Sequence, residues 1–87
     1  MWCIQYADTV VRDDIVCLDH AVKLRIKSAI ATKLVHDPQR FGKPLRYNLN
    51  SMRSLRVGDY RVLYRLDHDA MTVSIVSIRH RRDVYKD

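Results

Sequence analysis

Met52-Arg53-Ser54-Leu55-Arg56-Val57-Gly58-Asp59-Tyr60-Arg61-Val62-Leu63-Tyr64-Arg65 is the stretch that decides the fold. Two apolar-alternating runs flank Gly58-Asp59. A glycine followed by an aspartate between strand-like runs predicts a two-residue hairpin turn of type II′. That register sets Val57 opposite Tyr60, Arg56 opposite Arg61, Leu55 opposite Val62 and Ser54 opposite Leu63. Opposed residues share a sheet face. One face then carries Val57, Tyr60, Leu55, Val62 and Tyr64, which is a core. The other carries Arg56 and Arg61 directly opposed, with Arg65 nearby. Like charges paired across strands, with Cβ atoms about 5 Å apart, are destabilising. A fold that keeps them has an anion to place between them.

Upstream of the hairpin the chain reads as strand, helix, helix. Trp2 to Tyr6 is rich in aromatic and β-branched residues and predicts a short strand. Asp8 or Thr9 can cap a helix beginning near Val10. Val11, Ile15 and Leu18 form its apolar stripe. Asp19 is a second N-cap, for a helix running to about Val35. Val22, Ile26, Ala29, Ile30 and Leu34 are its buried stripe, and Lys23, Arg25, Lys27 and Lys33 its outer face. Asp37-Pro38 stops that helix. Gln39 to Asn50 reads as a loop carrying Arg40, Lys43 and Arg46. Downstream, Asp67 to Ala70 is a turn and Met71 to Ile78 a third apolar strand, expected to be central and buried on both faces. A tail follows from Arg79 to Asp87. The order β-α-α-β-β-β predicts one α+β domain over residues 1–87, a helical hairpin packed on one face of a small, mostly antiparallel twisted sheet. The other sheet face stays open, and the hairpin register puts Arg56 and Arg61 on it.

Charge is distributed unevenly. The net charge of +6 lies wholly in residues 38–87, which hold eleven Lys/Arg against five Asp; residues 1–37 hold five of each, and there is no Glu. A basic half on a neutral half predicts a polyanion-facing surface, nucleic acid before membrane, since no basic amphipathic helix with an aromatic face is evident. No apolar run approaches the ~20 residues that span a bilayer. Met1-Trp2-Cys3-Ile4 lacks the charged start and long apolar core of a signal peptide. The expectation is a cytoplasmic protein with Cys3 and Cys17 as two buried, reduced thiols. No Cys/His cluster has zinc spacing, so no metal or other cofactor is expected.

Three segments in order resemble a known family. Phe41-Gly42-Lys43-Pro44-Leu45-Arg46, Leu55-Arg56-Val57-Gly58-Asp59-Tyr60-Arg61-Val62 and His80-Arg81-Arg82-Asp83-Val84-Tyr85, after a helical hairpin ending in Asp37-Pro38, look like the RelE/ParE toxins of type II toxin–antitoxin systems. The resemblance covers essentially the whole chain. It implies the fold just described. For RelE-type members it further implies a metal-independent endonuclease that cuts messenger RNA on the ribosome and so inhibits translation. A cognate antitoxin holds such a toxin inactive, and operator DNA is bound as the toxin–antitoxin complex. ParE-type members share the fold but poison DNA gyrase, so the alternatives are a non-catalytic gyrase poison or an inactive family member.

By the same resemblance, Arg61 matches the arginine on the scissile phosphate. Arg81 matches the tail arginine assigned to acid or charge-stabilising work, and Tyr85 the tail tyrosine that stacks on a base or helps activate the 2′-hydroxyl. Arg56 and Arg46 fall at RNA-backbone positions, with Lys43 and Arg65 beside them. The chain departs from RelE-type members at Ser54 and Met52, where those toxins carry lysines. Serine cannot replace a lysine as base or cation. Arg53 is adjacent, but alternation points it to the opposite face. With no Glu, a carboxylate base could come only from Asp, of which Asp83 alone is placed for the role, and beside it His80 is able to accept a proton near neutrality. The expectation is therefore His80 and Tyr85 for proton transfer, with Arg61 and Arg81 on the phosphate.

Overall fold

The computed structural model describes residues 1–44 and 52–84. Five strands form one sheet in the order β1-β5-β4-β3-β2: β1 (Cys3–Tyr6), β2 (Lys43–Pro44), β3 (Met52–Val57), β4 (Tyr60–Asp67) and β5 (Thr72–His80). Only β1 runs parallel to its neighbour, β5; the other pairings are antiparallel. The chain is thus α+β, with a mostly antiparallel twisted sheet.

The β3–β4 register is the one the sequence dictates, with Val57↔Tyr60, Arg56↔Arg61, Leu55↔Val62 and Ser54↔Leu63 as partners. Gly58 turns the corner at φ 61°, a left-handed value that glycine adopts without steric cost. Leu55, Val57, Val62 and Tyr64 are buried on one face, joined by Val73, Ile75 and Ile78 of β5. The helix α1 (His20–Ala29) and its wider-wound continuation Ile30–Leu34 cover that face with Ile26, Ile30 and Leu34. The predicted stripe of the second helix therefore holds.

The first helical segment departs from expectation. Val10–Asp14 winds with π-type pitch, and the Ile15 N–H donates to the Val10 carbonyl at 2.8 Å. The wider turn shifts the buried phase by one residue. Val10, not Val11, enters the core, and Val11 is 51% exposed. This segment also closes an edge. β1 stops pairing with β5 at Tyr6↔Ile75, and beyond it Asp14 Oδ2 accepts the Ile78 N–H at 2.9 Å, standing in for the missing strand.

Residues 39–44 are not all loop. Pro38–Phe41 is a short helix, α2, with Pro38 at its first turn, where a missing N–H costs nothing. Lys43–Pro44 is a two-residue edge strand on β3, a site where proline is tolerated. β5 is internal but buried on one face only. A register shift opposite Leu63/Tyr64 leaves Val76 as the extra residue, so Ile75 and Ile78 both point inward. Both thiols are exposed and free, not buried as expected. Among the described residues, no helix is long and apolar enough to cross a membrane.

Candidate functional site

The face away from the helices carries Ser54 and Arg56 from β3, Arg61, Leu63 and Arg65 from β4, and Ser77 and Arg79 from β5. A two-residue hairpin makes Val57–Tyr60 its hydrogen-bonded closing pair. Arg56–Arg61 is then a non-hydrogen-bonded pair, where side chains approach most closely. Arg61 is also the cross-strand partner of Arg79. Three arginines thus lie in a row across three strands, spaced by the roughly 4.8 Å strand separation.

Two cavities among the described residues border this row. The first, of about 160 Å3, is lined by Arg56, Gly58, Asp59, Tyr60, Arg61 and Arg81. Arg81 reaches it because β5 ends where β4 begins. His80 pairs with Tyr60, and the next backbone N–H, from Arg81, donates to the Asp59 carbonyl at 2.7 Å. The tail is hooked onto the hairpin turn and then forms α3 (Arg81–Val84). The Asp59 carboxylate is 4.0 Å from Arg81 Nε, with both side chains well exposed. So open an ion pair contributes little and yields to a stronger anion. Arg56 folds back over the turn, its Nε donating to the Gly58 carbonyl at 3.2 Å. The second cavity, of about 270 Å3, shares Arg56 and Arg61 and extends past Ser54 and Leu55 to Lys33 and Phe41.

Of the residues singled out from the sequence, Arg56, Arg61 and Arg81 come together. Arg65 does not. It shares their face but lies four residues along β4, about 13 Å from Arg61, and borders neither cavity. Lys43 lies in β2, with its side chain outside the described residues; Arg46 and Tyr85 also lie outside them. Ser54, 5% exposed, places its Oγ 3.4 Å from Arg61 Nη1. Arg53 points to the other face, as alternation requires. There its Nη2 donates to the carbonyls of Gln39, at 2.5 Å, and Gly42, at 2.6 Å.

His80 lies on the opposite side of the sheet from Arg79 and the arginine row. It pairs with Tyr60 and so shares the helix-facing side of the sheet, packing edge-on against the Tyr60 ring at 5.1 Å. Its Nδ1 accepts the Arg82 N–H at 3.2 Å. That contact caps the first turn of the tail helix.

Arg79 and Phe41 were not singled out as site residues from the sequence. Arg79 is the more legible of the two: it stands at the end of the last strand, two residues before Arg81. Phe41 is less so, because its exposure depends on how Arg53 holds the preceding turn. Among the described residues no group of three His, Cys or Asp side chains is placed to hold a metal ion.

A small α+β domain with a row of arginines across its uncovered sheet face, and a tail hooked beside them, is the class of protein that fold and site define. A family model for the ParE toxin of type II toxin–antitoxin systems, parDE, matches residues 7–85. Toxin RelG of Mycobacterium tuberculosis is 41% identical over 71 residues, covering 77% of this chain and 82% of RelG. Toxin RelE of the same organism is 43% identical over 53 residues, 61% of this chain and 55% of that toxin. In the crystal structure of the M. tuberculosis RelBE2 toxin–antitoxin complex, a chain with 34% identity superposes with a TM-score of 0.83, covering 92% of this chain and 91% of that one. The E. coli RelE toxin, at 17% identity and a TM-score of 0.73, shares the fold. The chain belongs to the RelE/ParE family of type II toxins.

Proposed function

We propose that this toxin is an endoribonuclease that cleaves messenger RNA on the ribosome and so blocks translation. The observation that supports it is the convergence of Arg56, Arg61 and Arg81 on one cavity. Cleavage of RNA without a metal needs three things at one phosphate. The 2′-hydroxyl loses its proton and its oxygen attacks phosphorus; negative charge builds on the non-bridging oxygens; the bond to the 5′-oxygen breaks and that oxygen takes up a proton. The products are a 2′,3′-cyclic phosphate and a 5′-hydroxyl. Fixed cations at the non-bridging oxygens stabilise the transition state without reorganisation. Arginine suits this task because it stays charged and binds two oxygens at once.

In this reading Arg61, flanked by Arg56, holds the phosphate, and Arg81 faces the leaving-group side from the tail. Proton transfer falls to Tyr85. His80 acts as a positioning residue, because its Nδ1 holds the tail that carries both Arg81 and Tyr85. Arg46, Lys43 and Arg65 guide the flanking RNA backbone. The partner is a cognate antitoxin, as in the RelBE2 complex. Binding of operator DNA belongs to the toxin–antitoxin complex, and the site of action is the cytoplasm.

A second reading, a gyrase poison, is favoured by one observation: Ser54 and Met52 stand where RelE-type toxins carry lysines. The two separate on expression of the toxin without its partner. Mapping messenger RNA ends should show translation-dependent cuts that vanish in Arg61→Ala, which should lose on the order of 10²–10³ in cleavage rate. Intact messages with gyrase-dependent chromosome breaks would select the second reading.

A further inference from the structure

The cavity at the β3 edge is chemically unlike the phosphate cradle beside it. It is lined by Lys33, Phe41, Ser54, Leu55, Arg56 and Arg61, so three cations, a hydroxyl and an aromatic ring border one space of about 270 Å3. Phe41 is 43% exposed. Among the described phenylalanine, tryptophan and tyrosine side chains it is the one open to solvent to this degree, the others being half-buried or buried. It takes no part in the hydrophobic core.

That exposure is built. Arg53 ties the carbonyls of Gln39 and Gly42, on either side of Phe41, to β3. Tyr64 donates to the Pro38 carbonyl at 2.7 Å from beneath the same turn. Gly42 lies so close over Tyr64 that an added Cβ would sit 1.7 Å from its hydroxyl. The short helix therefore cannot roll to bury the ring. Lys33 Nζ and Arg40 Cζ stand 5.8 and 5.9 Å from the ring centroid, at the ~6 Å outer limit of a cation–π contact, where they hold the ring weakly. Cationic groups around a fixed, exposed ring make a stacking platform of the kind that binds single-stranded nucleic acid.

We propose that this cavity is a second nucleotide subsite. The base next to the scissile phosphate stacks on Phe41, and Lys33 takes the phosphate on its far side. Arg56 and Arg61 border both cavities, so one strand can lie across the pair with its phosphate between the arginines and its base over the ring. Phe41 thereby contributes to choice of sequence, since stacking strength differs among bases. This rests on the reading of the protein as an RNA-binding toxin, and the test separates the two.

The chain has a single phenylalanine, so its ring protons report on this site alone. A single-stranded tetranucleotide, made uncleavable by 2′-O-methylation, is titrated against the toxin by NMR, alongside the same backbone with the neighbouring position abasic. The base-bearing strand should shift the Phe41 ring protons, and the abasic strand should not. Phe41→Ala should weaken the base-bearing strand by about tenfold and leave the abasic strand unchanged. Phe41→Trp should restore binding, and Arg61→Ala should weaken both strands. Unshifted ring protons, or equal loss on both strands in Phe41→Ala, would overturn the subsite while the Arg61 effect kept the phosphate reading intact. If Arg61→Ala changed neither strand, the underlying reading would itself fail. Ring shifts produced by an acidic peptide but not by the oligonucleotide would reassign the cavity to a protein partner and equally overturn the proposal.

Discussion

Arg79 is the direct cross-strand partner of Arg61 on β5, so Arg61 has an arginine beside it on both neighbouring strands. Arg79 is anchored along its own strand, its Nε donating to Ser77 Oγ at 2.9 Å, which leaves the other guanidinium nitrogens for an anion. Arg79→Ala should weaken binding of an uncleavable RNA across all sequences. It should also reduce the slope of log affinity against log salt by about 0.7, one phosphate contact on a single strand. Arg65→Ala, on the same face but remote from both cavities, should have the smaller effect. Equal salt slopes for wild type and Arg79→Ala would take Arg79 out of the cradle.

Ser54 bears on whether the cradle is short of a cation. It is nearly buried beneath Arg61, and its 3.4 Å contact with the guanidinium is a weak one. Ser54→Ala should therefore leave cleavage close to wild type. Ser54→Lys would bring an ammonium to the open face on a stem long enough to reach solvent. It should speed single-turnover cleavage of ribosome-bound message on the order of tenfold, about the effect of 1.4 kcal/mol on the barrier. A slower or unchanged Ser54→Lys variant would show that the arginines already satisfy the phosphate.

His80 can be a proton carrier or a cap, and the two roles respond differently to one substitution. As a cap, its acceptor for the Arg82 N–H is the feature that matters. Asparagine and aspartate supply such an acceptor at helix N-termini. His80→Ala should then cleave more slowly by about tenfold, since a displaced catalytic tail commonly costs one to two orders of magnitude. His80→Asn should recover most of that. A proton carrier would behave otherwise, with Ala and Asn both losing about 10²–10⁴-fold. Single-turnover rates for the two variants decide the matter.

Much of this was legible in the sequence, and the exceptions have physical causes. The Gly58-Asp59 turn and the alternation around it fix which arginines share a face, because a strand has only two faces and a hydrophobic core claims one. The stripe at Ile26, Ile30 and Leu34 is as readable. Val10 and Val11 were exchanged because a π-type turn shifts the helical phase without a mark in composition. The inward pair Ile75 and Ile78 looked like a strand buried on both faces because a bulge at Val76 breaks the alternation. α2 and β2 are hidden in a Gly- and Pro-bearing stretch tied down by Arg53, 14 residues from Gln39 and 11 from Gly42 in sequence. The residue type of His80 suits a base, and sequence carries no mark of the contact between its Nδ1 and the tail.

The Arg53 staple carries a stability prediction. Removing it leaves two backbone acceptors without their donors; the exposed Gln39 carbonyl is taken up by water, while the part-buried Gly42 carbonyl costs about 1–3 kcal/mol. Arg53→Met keeps much of the apolar stem but not the donors, and should lower Tm by roughly 5–20 °C, at about 4–8 °C per kcal/mol for a domain of this size. Gly42→Ala should fall in the same range by overpacking against Tyr64. Differential scanning calorimetry of both variants checks this. A Tm within a degree or two of wild type would mean that the turn around Phe41 is held by something other than Arg53.

Tyr64 adds a dependence on pH. Burial raises the pKa of its phenol above 10, and the neighbouring Arg53 guanidinium offsets only part of that rise. In the unfolded chain the phenol ionises near 10, whereas in the folded protein it holds its proton to higher pH. Below pH 10 both states are protonated and the full stability is present. As pH climbs through 10 toward the folded value, the unfolded chain binds fewer protons than the native one, so stability falls. Tyr6 shifts in the same direction, also through burial. Tyr64→Phe should therefore be less stable than wild type at pH 8, having lost the hydrogen bond to the Pro38 carbonyl. Its Tm should then decline less steeply between pH 9 and 11, with Tyr6 contributing to the remaining slope. Parallel Tm profiles for the two proteins would show that the Tyr64 hydroxyl ionises as freely in the fold as in the open chain.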